Sequence, residues 1–208
     1  MTIKSFSMTS PIFPEAHFDK TKPITVVSGA SIFLQTMRSL LEDEETETPI
    51  DETKERTFVS RVCFELDGKD YELCGVLCED DTFFVAADTE KGFSAEETKE
   101  CLTALRSLEG KSNCYFGSLE GVENPLMLSE SDLRIADLEN FIAKAKEEKT
   151  EKPIYIFNFF ERIDESVNVD PILSELSSLD RQVFVSVGAS YPSERLADGD
   201  LKHRILCI

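Results

Sequence analysis

An α/β protein is predicted by three short, uninterrupted apolar runs set apart from one long alternating stretch. Residues 24–27 (ITVV), 154–157 (IYIF) and 183–187 (VFVSV) are β-branched and aromatic, too short for helices and too apolar for half-exposed strands. They suit parallel strands covered on both faces. Residues 58–87 instead alternate apolar with polar positions around Asp67-Gly68, the pattern of an antiparallel meander with a tight hairpin. The expected architecture is a mixed sheet with the three runs as parallel central strands, flanked by helices, and a smaller antiparallel sheet inserted at about 57–87. A chain of 208 residues fits a single domain, 1–208.

In chain order, residues 3–14 alternate weakly and lead through His17 and Phe18 to a Lys-Thr-Lys-Pro turn, reading as an edge strand. The strand 24–27 stops at Ser28-Gly29, and from Ile32 the apolar positions Phe33, Met37, Leu40 and Leu41 recur at helical spacing. Residues 42–56 are dominated by acidic residues and threonine around Pro49, with too little apolar surface to offset the entropy of ordering, so they read as a solvated loop. After the meander, Ser94 and Glu97 form a capping box that opens a helix through Leu102, Leu105 and Leu108, with Gly110 as its stop. Ser129 and Asp132 cap a second helix, expected to bury Leu133, Ala136, Phe141, Ile142 and Ala145. Asp170-Pro171 reads as an N-cap followed by a first-turn proline, opening the helix of Ile172, Leu173 and Leu176. A loop at 188–192, a helical turn at 194–196 and a last strand at 204–208 close the chain.

Composition narrows the function classes. Twenty-two basic residues against forty-one acidic ones give a net charge of -19, a field that repels phosphate backbones and anionic membrane surfaces. Direct nucleic-acid or membrane binding is not expected. No apolar run reaches the roughly 20 residues that span a bilayer, and no basic-then-apolar leader is seen at the amino terminus, so a cytoplasmic location is expected. The six cysteines lack paired CxxC spacing and sit mostly in apolar segments, which suits reduced core thiols. Cys74 and Cys78 would share one strand face, but with two histidines in the chain no metal site is expected.

The chemistry-bearing positions surround the parallel strands, whose carboxyl ends are where such sheets bind ligands. Residues 29–36, GASIFLQT, occupy the frame of the phosphate-binding GxxxxGK[ST] motif, in which glycine amides cradle phosphate, lysine neutralises it and the hydroxyl holds magnesium. Gly29 and Thr36 fit that frame. Leu34 stands in place of the second glycine and Gln35 in place of the lysine. Taken alone, a glycine at a strand-to-helix turn is common.

The order of parts is more informative than any one motif. A strand into a Gly29 turn and helix, a β-rich insert, a helix opened by Leu128-Ser129, then KPIYIFNFFERID and RQVFVSVGASYPSERL follow one another. In this the chain resembles an ATP-binding-cassette (ABC) ATPase of the SMC/RecF type, a P-loop NTPase-like fold, over nearly its whole length and without the coiled coil. The resemblance implies that Asn158 and Phe159 stand where the family has the magnesium-binding aspartate and the water-orienting glutamate. Leu128 and Ser129 match the start of the LSGG signature, with Glu130 and Ser131 in place of its glycines. Asp164 falls on the D-loop aspartate, and Gly188 on the position of a histidine that touches the γ-phosphate.

The departures, Gln35, Asn158, Phe159 and Gly188, coincide with the chemistry while the apolar framework is kept. The leading expectation is therefore a catalytically inactive pseudo-ATPase acting as a protein-binding or regulatory module, with no cofactor. Its expected partner is a protein, such as an active ABC-type ATPase or a nuclease, and a dimer is compatible with the resemblance. An alternative is a subunit that still binds ATP and magnesium, with Thr36, Asn158 and Asp164 as polar contacts and a partner chain completing the site. A third reading is an unrelated α/β protein-interaction domain docking through the acidic stretch 42–47, for which a solvated loop is the simpler account.

Overall fold

The computed structural model describes residues 1–9, 15–18, 22–28, 53–80, 83–108, 114–115, 117, 129–148, 150–157, 159–188, 190–192, 196 and 205–207. In chain order the first strands are β1 (Thr2–Met8), β2 (Ala16–His17), β3 (Ile24–Ser28), β4 (Arg56–Leu66), β5 (Lys69–Cys78), β6 (Phe83–Thr89) and β7 (Gly92–Ser94). Helix α1 (Ala95–Arg106), β8 (Cys114–Tyr115), α2 (Glu130–Glu147), β9 (Ile154–Phe157), α3 (Asp170–Ser177), β10 (Val183–Val187) and β11 (Ile205–Cys207) follow. They divide into two compact units, one from Met1–Asp19 and Gln35–Glu109, the other from Lys20–Leu34 and Gly110–Ile208.

The first unit is built on a six-stranded antiparallel sheet in the order β2-β1-β4-β5-β6-β7. The hairpin expected at Asp67-Gly68 joins β4 to β5, with Leu66 paired to Lys69 and φ of 51° and 77° at the two turn residues. Positive φ at both central positions matches the right-handed twist of the flanking strands, and Gly68 adopts it without a Cβ penalty. One expectation is corrected here. The amino-terminal strand is not an edge, because β1 pairs with β2 on one side and β4 on the other and buries Ile3 and Phe6 completely. With β1, the two-residue β2 and the three-residue β7 added to the expected meander, the antiparallel sheet has six strands against five in the other, rather than being the smaller. β7 is too short to leave an alternation signal.

Helix α1 starts as its capping box requires: Ser94 is extended and its hydroxyl accepts the Glu97 amide at 3.2 Å. It buries Cys101, Leu102 and Leu105 and ends at Arg106, short of Leu108; Gly110 lies outside the described residues. Thr98 Oγ1 accepts the β6 amide of Ala87 at 2.6 Å, fixing the helix to the sheet.

The second unit carries a five-stranded sheet in the order β11-β3-β10-β9-β8, and its central three strands are the three continuous runs. Val183 pairs with Ile24 on one side and Ile154 on the other, and every pairing among the described residues is parallel. The sheet expected to be mixed around these central strands is thus parallel in every described pairing, and the antiparallel sheet is separate from it. On one face Ile24, Val26, Ile154, Ile156, Val183 and Val185 pack with Leu138 and Ile142 of α2 and Ile172, Leu173 and Leu176 of α3. Each such side chain, fully buried, contributes about 1.5–3 kcal/mol. On the opposite face Tyr155 and Phe184 stack with centroids 5.8 Å apart. Burial on both faces explains why these runs do not alternate.

Two helix details differ from expectation. In α2, Leu133, Ala136 and Phe141 are half-buried, and the buried set is Asp137, Leu138, Ile142 and Ala145. The N-cap of α3 is Val169, and Asp170 is the first helical residue, its amide donating to Asn168 Oδ1 at 3.0 Å. That bond is an Asx-type turn two residues long, and the helix start has no side-chain cap of its own. Among the described residues no helix is long and apolar enough to cross a membrane. Cys63, Cys74, Cys78 and Cys101 are free thiols.

Candidate functional site

The candidate site lies in the second unit, at the carboxyl ends of its parallel strands. β9 ends at Phe157, and a single 3-10 turn, Phe160–Arg162, reverses the chain. The Arg162 amide donates to the Phe159 carbonyl at 3.0 Å. Phe159 is 2% exposed. Its ring meets Tyr115 edge-on at 5.8 Å and Phe160 at 5.0 Å, so it faces the apolar core. Phe160 joins the same cluster, which leaves Glu161 and Arg162 as the exposed side chains of the turn.

Glu161 reaches across to the end of β10, where its Oε1 accepts the amide of Gly188. A Cβ built at Gly188 would lie 3.0 Å from that oxygen, a contact that a small swing of the flexible Glu161 side chain relieves. A carboxylate thus occupies the amide that follows β10. An anionic oxygen there repels a phosphate rather than attracting it.

On the neighbouring side the signature-like helix and the loop after the 3-10 turn are tied together. Ser129 is the N-cap of α2, accepting the Asp132 amide at 3.1 Å and donating to Asp132 Oδ2 at 2.6 Å. Ser131, one residue into the first turn, accepts the amide of Asp164 at 3.0 Å. Asp164 Oδ1 in turn accepts both the amide and the hydroxyl of Ser166, at 2.9 and 2.6 Å. These hydrogen bonds favour the carboxylate and hold its pKa below the ordinary value. A shallow cavity of about 150 Å³ opens beside Asp164, Asp170 and Tyr191, with Phe160 and Ile163 at its base.

Of the positions singled out in the sequence, Phe159 and Gly188 are bridged through Glu161's turn, and Ser129 and Asp164 through Ser131. Gly29, Leu34, Gln35, Thr36 and Asn158 lie outside the described residues. Sequence reasoning missed Glu161 and Ser131 as the connecting side chains. It also missed the pair Tyr115–Asp137, in which the tyrosine hydroxyl donates at 2.6 Å to a carboxylate only 4% exposed. Burial and the adjacent carboxylate push the Tyr115 pKa up. No group of three metal-ligating side chains occurs among the described residues.

This arrangement of strands and helices has a solved counterpart. The fold is similar to that of the SMC head domain from Thermotoga maritima. The TM-score is 0.60 over 93% of this chain and 92% of that one, at 9% sequence identity. The likeness to an SMC-type fold that the order of parts implied thus extends over nearly the whole chain. At that identity the likeness concerns the fold alone. No protein-family model and no curated protein sequence matches the chain.

Proposed function

We propose that this chain is a catalytically inactive, ABC-ATPase-like protein that works as a protein-binding or regulatory module. The observation that carries this reading is the Glu161 carboxylate on the Gly188 amide, at the strand end where the family resemblance implies a γ-phosphate contact. A triphosphate arriving there meets a negative oxygen where catalysis of phosphoryl transfer needs positive or hydrogen-bond-donating groups. The substitutions at Gln35, Asn158 and Phe159 act in the same direction, since they leave neither a lysine charge, a magnesium-binding carboxylate nor a water-orienting glutamate at the positions the resemblance assigns. With the chemistry removed and the scaffold kept, the protein's surface is what remains to be used.

Magnesium-dependent phosphate release tests the proposal. It is measured on wild type, on Gln35→Lys, and on a quadruple variant adding Asn158→Asp, Phe159→Glu and Gly188→His, each alone and mixed with candidate partners. Wild type and the single variant are expected to release none, because groups that act as a unit are not restored one at a time. Robust turnover by either would show a working enzyme. Turnover that appears only with a partner chain would favour the completed-subunit alternative, to which the exposed, hydrogen-bond-organised Asp164 lends itself.

A further inference from the structure

A cavity of about 390 Å³ lies within the first unit, between the Asp67-Gly68 hairpin and α1, and its size falls within the ~300–1,000 Å³ typical of binding pockets. Its floor is aromatic: the fully buried Phe64 stacks on Tyr71 with centroids 5.4 Å apart and planes 17° from parallel. The outer face of that stack already holds a cation. Lys69 Nζ lies 4.9 Å from the Tyr71 ring centroid and pairs with the carboxylate of Glu100. A cation placed over an aromatic face and beside a carboxylate is attracted by both, whether it is a lysine ammonium or an arginine guanidinium. Lys69 is itself 54% exposed, so an incoming cation can exchange with it without opening the core.

Charge favours the exchange. Asp70, Glu72, Asp88 and Glu97 line the same cavity; Asp70 pairs with Lys4, itself a lining residue, and Arg61 pairs with Asp88 and Glu72, so the acidic excess there is partly compensated from within the unit. In the unit as a whole acidic residues outnumber basic ones 23 to 9, against 18 to 13 in the second unit. Most of the chain's net negative charge therefore belongs to the sequence of this unit, and such a charge attracts basic surfaces at long range.

We propose that this cavity docks a lysine or arginine side chain from a basic segment of a partner protein, which displaces Lys69 from Tyr71 and Glu100. The proposal rests on the protein-binding reading above and names the surface it uses. Lys69 is then a resident stand-in for the partner's cation.

The test is an amide-resolved NMR titration of the full chain with an acetylated, amidated tetra-arginine peptide, with spermidine as the free-polyamine arm. Saturable shifts are expected around Tyr71, Asp88 and Glu100, weakened by Glu100→Gln, a substitution at an exposed position that leaves the core intact. Lys69→Ala, which frees the ring and Glu100, is expected to tighten binding about two- to fivefold. Lys91→Ala removes the same charge from the β6–β7 turn and is expected not to. Shifts spread over the acidic surface without saturation, equal responses of Lys69→Ala and Lys91→Ala, or binding of spermidine but not peptide would overturn the assignment. Such a failure leaves the phosphate-release result untouched, and turnover by wild type would sink the inactive reading without moving the titration.

Discussion

Asp164 is exposed, yet the amide and hydroxyl of Ser166 hold its carboxylate and lower its pKa from the ordinary 3.8. A depressed folded pKa contributes stability that is present above the unfolded value and is lost as pH falls through the folded one, so the contribution belongs to the acidic limb below about pH 4. Ser166→Ala should let the Asp164 pKa rise towards the ordinary value, read by carboxyl-carbon NMR titration; an unchanged midpoint would show that the turn does not organise this carboxylate. Tyr115 and Asp137 form the opposite case, a polar pair inside an apolar cluster. Tyr115→Phe keeps the ring but removes the donor, leaving a buried carboxylate short of a partner at a cost of about 1–3 kcal/mol. Denaturant unfolding would measure it, and a loss well under 1 kcal/mol would mean that the hydroxyl is dispensable. Neither this pair nor Glu161–Gly188 is legible in the sequence. Glu161 and Gly188 are separated by a helix and a strand and meet because β9 and β10 lie side by side in parallel, whereas Tyr115 and Asp137 sit on the successive elements β8 and α2 and meet because α2 packs on the sheet.

Elements whose signals are local were legible. Ser94 with Glu97 and Ser129 with Asp132 specify helix starts within four residues, and both hydroxyls accept the expected amides. Ser94→Ala should cost about 1 kcal/mol by thermal or chemical unfolding, since an extended N-cap without a side-chain acceptor leaves a first-turn amide unsatisfied. An effect near zero would mean that packing of Cys101, Leu102 and Leu105 alone holds α1. The misread elements are those decided by neighbours distant in sequence. β1 reads as an edge because its alternation is weak, but β2 and β4 supply a partner on each side. The α2 face rotates towards Asp137 because Tyr115 provides a buried hydrogen bond that hydrophobic spacing does not encode.

At the scale of the whole molecule, the contrast between continuous and alternating apolar runs separated the parallel from the antiparallel sheet, because the first is covered on both faces and the second is built from consecutive hairpins. The relative size of the sheets was not legible, since β1 joins its sheet from across a long stretch of chain. Charge acts at this scale too. With a net charge of -19, self-repulsion opposes compaction, and raising salt from about 10 to 150 mM shortens the screening length from ~30 to ~8 Å. The midpoint of thermal unfolding should rise across that range; a flat or falling midpoint would indicate that local ion pairs such as Arg61–Asp88, at 2.7 Å, outweigh the global field. We propose that an ABC-ATPase-like scaffold persists here without its nucleotide chemistry, and calorimetric titration of the purified full chain with Mg-ATP tests this most directly. No saturable heat is expected at millimolar nucleotide. A saturable isotherm with micromolar affinity, lost in Thr36→Ala, would contradict it.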